Sequence, residues 1–201
     1  MAAQSRNGFI NIDIYERTAS GAATPLRRII PDFPFARALL VDSMNDEIFV
    51  AVPTVSATPI TPATTCSISV FSRTVEGRAA PIRTLSGSAT GLKEPIAMVL
   101  DTTENELIVA DAENDSVLVY PRNANGNISP LRIISGNSTG LSGPSGIVLD
   151  AGSDMIYVSN YSNDSVTVYP RKANGNFSPV MTFTRPQIDI RGPTSISLAF
   201  K

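Results

Sequence analysis

The 201-residue sequence predicts an all-β protein built from four copies of one four-stranded antiparallel sheet. The segment NDSVLVYPRNANGNISPL (114–131) returns 49 residues later as NDSVTVYPRKANGNFSPV (163–180), with four of eighteen positions changed. Within each copy the apolar residues alternate or run unbroken for four or five residues between turn residues, which indicates strands. Four strands in a repeat of about 40 to 50 residues are typical of one blade of a β-propeller.

The strands of the last copy are predicted from its apolar runs, in chain order: Ser145–Asp150, Met155–Ser159, Ser165–Arg171 and Val180–Thr184. Their links are AGSD, NYSND and KANGNFSP. Asn-Gly tolerates positive φ, so NANG and KANG are expected to turn the chain between the third and fourth strands. The three full copies fall at about 36–86, 95–135 and 144–184. The first of them carries an insertion of ten residues between Val52 and Ser67.

The two chain ends each match part of a sheet. TSISLAF, at the C-terminal end, matches a first, inner strand, whereas FINIDIYERT matches a third strand and MAAQS a weak second strand. We therefore expect one domain over 1–201, with a fourth blade closed by residues 1–30 together with 192–201. Ser195–Ala199 would join the sheet that contains Ile10–Arg17, within one chain or across two. The alternatives are an open or two-chain propeller fragment and, less favoured, a β-sandwich.

Composition excludes several classes of function. A net charge of −2 and a pI of about 5.1 provide no basic field for nucleic acid. No apolar run approaches the ~20 residues that span a bilayer, so no membrane span is expected. MAAQSRNGF has no apolar signal segment, although a secreted or periplasmic origin stays open if a signal peptide was removed. The absence of histidine excludes a Ser-His-Asp triad and imidazole metal ligands.

Candidate ligand-binding residues lie in the links between second and third strands. These links and the connections between blades should open on one face, here called the loop face, which holds the variable sequence. The candidates are Asp111, Glu113 and Asn160, with Thr54 and Thr58 from the insertion. Their oxygens could hold Ca²⁺ or another divalent cation, but Asp and Asn also recur in tight turns. No catalytic residue and no firm cofactor is assigned.

Two further sets of residues are expected to have structural roles. The single cysteine, Cys66, has no histidine to activate it and is expected to be a packed thiol. An arginine ends the third strand in every copy, and a residue that repeats with the blade usually stabilises the blade. These arginines are Arg17, Arg73, Arg122 and Arg171.

The segments GLSGPSGIVLD, MIYVSN and NDSVTVYPR resemble the NHL-type and related propeller repeats of bacteria, over roughly residues 10–200. The resemblance implies the blade fold, which hosts lyases, lactonases and binding modules alike. Histidine-dependent lyase activity does not carry over to a chain without histidine. We expect a non-catalytic binding or scaffold module for a protein, peptide or glycan, as a monomer or homodimer. The alternatives are a metal-dependent hydrolase or lactonase and a structural repeat segment of a larger surface protein.

Overall fold

The computed structural model describes residues 2–6, 9–54, 66–186 and 189–199. Over these residues it contains sixteen strands in four sheets, one short 3₁₀ turn (Ser88–Thr90) and no α-helix. Sheet 1 consists of β1 (Ala2–Arg6), β2 (Phe9–Ile14), β3 (Arg27–Ile30) and β7 (Gly77–Arg78). Sheet 2 consists of β4 (Ala38–Asp42), β5 (Glu47–Val52), β6 (Ser67–Ser72) and β8 (Arg83–Ser86).

Sheets 3 and 4 have the same strand order and no insertion. Sheet 3 consists of β9 (Pro95–Asp101), β10 (Glu106–Asp111), β11 (Ser116–Pro121) and β12 (Arg132–Ile134). Sheet 4 consists of β13 (Pro144–Asp150), β14 (Met155–Asn160), β15 (Ser165–Pro170) and β16 (Met181–Phe183). In sheets 2 to 4 each strand pairs antiparallel with the next strand of the same sheet. The all-β fold of four four-stranded propeller-like sheets is thereby confirmed, and the strands predicted for the last copy agree within one residue at each end.

The core consists of three apolar clusters, one between each pair of consecutive sheets. In β10, Leu107 and Val109 contact sheet 2, whereas Ile108 and Ala110 contact sheet 4. Successive side chains of a strand point to opposite faces. A strand that is buried on both faces therefore needs an unbroken apolar run, and all six residues of β10 are buried.

Consecutive sheets are also joined by a repeated contact that we call the hairpin latch. The turn between the third and fourth strands of one sheet pairs in parallel with the outermost strand of the sheet before it, at Ile29–Gly77, Leu85–Gly126 and Ile134–Gly175. The Gly126 N–H donates to Thr84 O (2.8 Å). Gly126 and Gly175 have φ of 73° and 71°, which confirms the prediction for the Asn-Gly turns. Their positive φ turns the chain so that the glycine backbone reaches the neighbouring sheet.

The repeated arginines hold the first hairpin of their own sheet. The backbone N–H groups of Arg73, Arg122 and Arg171 donate to the carbonyls of Asp46, Asn105 and Asp154 at 2.7, 2.9 and 2.8 Å. The acceptor residues have φ of 53°, 57° and 64°, a left-handed conformation that Asp and Asn tolerate. Two of these side chains also reach the preceding sheet, as Arg122–Asp42 (3.1 Å) and Arg171–Asp101 (3.3 Å). The structural role expected for the repeated arginines is confirmed at these three positions.

The predicted closure of sheet 1 by Ser195–Ala199 of the same chain is wrong, whereas closure across two chains stays a prediction. The described residues 189–199 form no strand, and the sheets do not close into a ring. The Gly192 N–H donates to Asp164 Oδ1 (2.6 Å), as the Gly143 N–H donates to Asp115 Oδ1 one repeat earlier. The connection after sheet 4 thus repeats the previous one and places residues 193–199, the tail segment, beside β13 rather than at the other end of the row of sheets.

Candidate functional site

A cavity of about 410 Å³ opens on the loop face between sheets 3 and 4 and the tail segment. Its lining comes from the connections between sheets, from the links between second and third strands, and from the inner strands β9 and β13. This is the face on which the sequence places the variable loops. The lining residues are Glu94, Ile96, Ala112, Gly143, Pro144, Ser145, Tyr161, Ser162 and Thr194.

Asp111, a predicted ligand-binding residue, supports this cavity from behind. Its side chain is fully buried and accepts hydrogen bonds from the Lys93 N–H (2.8 Å) and the Glu94 N–H (3.0 Å). Burial raises the pKa of the Asp111 carboxyl, while these backbone donors act in the opposite direction. Asp111 therefore fixes the backbone of the connection between sheets 2 and 3, which carries Glu94. A ligand in the cavity would contact this connection rather than the Asp111 side chain.

Asn160 occupies the equivalent place in sheet 4 and is equally buried. Its side-chain oxygen accepts from the Ser142 N–H (3.2 Å), and its amide nitrogen lies 3.2 and 3.1 Å from the hydroxyls of Ser165 and Thr167. The Tyr161 N–H donates to Gly143 O (2.9 Å), which joins the same two loops again. Asn160 therefore shapes the cavity rim through the backbone.

Polar side chains at the cavity differ in how far they are already engaged. Glu94, about one third exposed, forms an ion pair with Arg37 of sheet 2 (3.1 Å). Ser145 Oγ lies 3.1 Å from Ser159 O and also contacts Pro193 O of the tail segment. Glu94 is therefore the lining group that offers a ligand a negative charge, and Ser145 serves mainly to hold the tail segment.

Tyr161 is the aromatic side chain of the rim and is 58% exposed. Its ring lies against Gly192, where an added Cβ would be 2.9 Å from Tyr161 Cε2. Gly192 has φ of 46°, which favours glycine, so the chain passes close to the ring without a clash. The ring is consequently supported on one side and open on the other.

The remaining predicted residues are placed apart from the cavity lining. Glu113 is exposed on the link that follows Asp111, and Thr54 is exposed at the start of the insertion. Thr58 lies outside the described residues. Sequence reasoning did not select Glu94, Tyr161 or Ser162. One signal was available, because Tyr161 and Ser162 stand where the preceding copy has Ala112 and Glu113 within an otherwise repeated loop.

Cys66 ends the insertion and is partly buried. Burial raises the pKa of its thiol to about 12, and the carboxylates of Asp111, Glu113 and Glu94 contribute in the same direction. The thiol thus stays protonated near neutral pH and is a poor nucleophile. The Cys66 side chain packs against the apolar cluster between sheets 2 and 3, which includes Val109 of β10 and Leu118 of β11.

A second cavity, of about 430 Å³, lies between the same two sheets and is lined mainly by polar groups, including Asn114, Asp115 and Asn163. Asn114 Nδ2 donates to Gly91 O (3.0 Å), and Asn163 Nδ2 donates to Gly140 O (3.1 Å). The two bonds are related by the 49-residue repeat. These asparagines therefore stabilise turns, the role that their recurrence in the sequence favours.

The described residues contain neither a metal-binding cluster of acidic, histidine or cysteine side chains nor a membrane-spanning helix. Between residues 9 and 199, outside the undescribed gaps, no three histidine, cysteine, aspartate or glutamate residues come close enough to share a metal ion. No helix in the described part of the chain is long and apolar enough to cross a membrane. A site for Ca²⁺ or another divalent cation on the side-chain oxygens of Asp111, Glu113 and Asn160 stays a prediction.

Comparison with known proteins supports the fold. No family model and no curated protein matches the sequence. Among solved structures, a protein assigned as a 6-phosphogluconolactonase from Bacteroides uniformis is similar, with a TM-score of 0.57 and 14% identity over 89% of this chain and 51% of that chain. U3-55K is similar with a TM-score of 0.51 and 18% identity, over 74% of this chain and 39% of that chain.

These likenesses show a propeller-type fold and no activity, because the sequences are too dissimilar to carry one. The chain spans about half the length of the first of these structures and less of the second. Neither is described as an NHL-repeat protein, so that resemblance stays a prediction.

Proposed function

We propose that the protein is a non-catalytic binding module that holds a short peptide segment in the cavity between sheets 3 and 4. The observation that carries this proposal is the mixed character of that cavity. Ile96, Ala112 and Pro144 provide an apolar floor, and Tyr161 provides an exposed aromatic rim. Such a site favours an apolar side chain flanked by backbone amides.

The charge of the cavity indicates which peptides fit. Glu94 is its one ionisable carboxylate, and none of the nine lining residues is a lysine or arginine. A peptide with a lysine or arginine next to its apolar anchor would be attracted, whereas an acidic peptide would be repelled. The Arg37 pair with Glu94 is half-exposed and can rearrange at little cost.

The second candidate is a hydrolase or lactonase, which the fold shared with the Bacteroides uniformis protein favours. A phosphorylated sugar lactone would meet the Glu94 carboxylate without a lining cation to bind its phosphate. Hydrolysis of 6-phosphogluconolactone above the spontaneous rate, with or without added Ca²⁺ or Mn²⁺, would replace the binding proposal by the enzymatic one.

The test of the binding proposal is selection of random peptides displayed on phage against the immobilised chain, followed by calorimetric titration of the enriched peptides. We expect peptides with an apolar anchor and a neighbouring basic residue. Tyr161→Ala should weaken their binding by roughly 5- to 30-fold, the range of a truncated aromatic contact worth about 1 to 2 kcal/mol. Glu94→Gln should weaken the basic peptides selectively.

The matched control is Phe177→Ala, which removes a partly exposed aromatic ring from a turn between third and fourth strands, on the opposite face. It should leave binding unchanged. Binding that is lost in the Phe177→Ala protein and kept in the Tyr161→Ala protein would contradict the proposed site, as would the failure of any peptide to bind above background.

A further inference from the structure

Two types of contact join consecutive sheets, and the outer faces of sheets 1 and 4 each carry one unpaired half of both. Each boundary after a full sheet has a hairpin latch, Leu85–Gly126 and then Ile134–Gly175. At each of these boundaries, an arginine of the later sheet also forms an ion pair with a buried aspartate of the earlier sheet. These pairs are Arg122–Asp42 and Arg171–Asp101. The two types of contact recur together, so a sheet boundary is recognisable by both.

Sheet 4 presents the accepting half of both contacts. Phe183 stands at the position of Leu85 and Ile134, which are buried, but is itself only partly buried. Asp150 stands at the position of Asp42 and Asp101. Its carboxylate accepts the N–H groups of Gly152 and Ser153 (3.0 and 3.3 Å), and no arginine or lysine pairs with it among the described residues.

Sheet 1 presents the donating half of both contacts. Gly21 stands at the position of Gly77, has φ of 61° and forms no bridge to another sheet among the described residues. Arg17 stands at the position of Arg122 and Arg171 and is exposed, and within the described part of the chain it forms no ion pair. Sheet 1 also lacks an inner strand, since its first described strand, β1, pairs only with β2.

The tail segment has the sequence and position of the missing strand. Pro193, Ile196 and Leu198 repeat Pro144, Ile147 and Leu149 of β13 at 49 residues. The segment already lies beside β13, where a Cβ at Gly146 would be 2.9 Å from Ile196 N. It is thus placed where the first strand of a further sheet would lie beside sheet 4.

We propose that sheet 4 and the tail segment of one copy bind sheet 1 of a second copy of this chain, head to tail. In that contact Gly21 pairs with Phe183 of the second copy, Arg17 pairs with its Asp150, and the tail segment becomes the inner strand of sheet 1. Two copies bind reciprocally, so each supplies what the other lacks. A head-to-tail contact of this kind closes into a ring when its rotation allows.

The charges of the two surfaces fit this arrangement. Arg17 brings a cation to a surface whose acid, Asp150, has no basic partner among the described residues. Asp13 and Arg28 of sheet 1 compensate each other in a two-bond ion pair at 2.6 and 2.8 Å. The net attraction across the contact therefore rests mainly on Arg17 and Asp150.

The experiment uses this complementarity with purified chain 1–201 and mass measured by light scattering. The unchanged chain should have twice its 21.3 kDa mass. Arg17→Asp and Asp150→Arg should each raise the dissociation constant at least about tenfold, because each places like charges together at both contacts. Mixing the two variants should restore the dimer. At one contact of the mixed dimer both substitutions meet and form an ion pair of reversed polarity, and at the other contact the original Arg17 and Asp150 meet.

Restoration by mixing separates a second copy from closure within one chain, in which mixing has no effect. Lys93→Asp and Glu113→Arg make the same charge changes at exposed positions of the loop face and should leave the mass unchanged. If Asp150→Arg fails to fold, a Gly21→Cys, Phe183→Cys protein in a Cys66→Ser background should form a disulfide between copies on oxidation. A 21.3 kDa monomer, or mixed variants that stay monomeric, would overturn the proposal.

Discussion

Replacement of Arg171 by alanine should destabilise the protein far more than the same replacement of Arg73. The two arginines end the third strand of their sheets and donate equivalent backbone bonds to the first hairpin. They differ in the surroundings of the side chain. Arg171 is 5% exposed and pairs with Asp101, which is fully buried, whereas Arg73 is 37% exposed and pairs with the exposed Asp46 of its own sheet.

The expected loss of unfolding free energy follows from the buried charge that remains on Asp101. In Arg171→Ala, Asp101 keeps the N–H bonds from Thr103 and Glu104 (both 3.0 Å), but its second oxygen loses the guanidinium at 3.3 Å. Breaking one side of a buried pair costs about 3 to 5 kcal/mol, and the retained bonds favour the lower end. An exposed pair such as Arg73–Asp46 contributes at most about 1 kcal/mol.

Urea denaturation of both variants, monitored by circular dichroism, measures the free energy of unfolding, and thermal unfolding measures Tm. At this chain length 1 kcal/mol of unfolding free energy corresponds to about 2 to 4 °C in Tm, so the Tm of Arg171→Ala should lie at least about 6 °C below that of the unchanged protein. Arg171→Met keeps the aliphatic stem and separates packing from charge. Equal losses in the Arg171→Ala and Arg73→Ala proteins, or full stability of Arg171→Met, would refute the reasoning.

Three further predictions use other parts of the fold. The hydrogen-bonded Arg132 lowers the pKa of Glu106 below its usual 4.5, so the pair stabilises the folded state above that pH and is lost as pH falls through the lowered pKa; Glu106→Gln should flatten the acid side of a stability–pH curve. Gly175 has φ of 71°, which valine disfavours and asparagine tolerates, and no neighbouring atom within 4 Å would clash with an added Cβ. Gly175→Val should therefore cost roughly 1 kcal/mol or more of unfolding free energy through backbone strain, and Gly175→Asn less. Removal of 194–201 should lower Tm more than removal of Lys201 alone, and equal Tm values would contradict the docking of the tail segment on β13.

The repeat in the sequence was sufficient to predict the four sheets, because a strand buried on both faces and a glycine at positive φ each leave a local pattern. The closure of sheet 1 could not be predicted in the same way. Phase alone indicates that TSISLAF corresponds to an inner strand, but not which sheet it would join. That choice depends on the direction in which the preceding connection leaves sheet 4, and the Gly192–Asp164 bond fixes it in three dimensions.

The candidate site shows the same limit. Asp111 and Asn160 were selected because they differ between copies, yet both accept backbone N–H groups from the adjoining connection. Aspartate and asparagine share the carbonyl-type oxygen that this role needs, so their interchange indicates a hydrogen bond common to the copies rather than a ligand. The exposed ring of Tyr161 depends on its approach to Gly192, some thirty residues later in the chain. Such a long-range contact leaves no periodic signal in the sequence.

The hairpin latch makes the completion of each sheet depend on a later part of the chain. The outermost strand of sheet 2 is latched by Gly126, and that of sheet 3 by Gly175, each 41 residues further along the chain. During synthesis from the N-terminus, a newly formed sheet therefore keeps an open edge until the next repeat has left the ribosome. A defect that slows one repeat should thus expose its predecessor to misassembly, and damage from a mutation in a latch should appear upstream of the mutated residue.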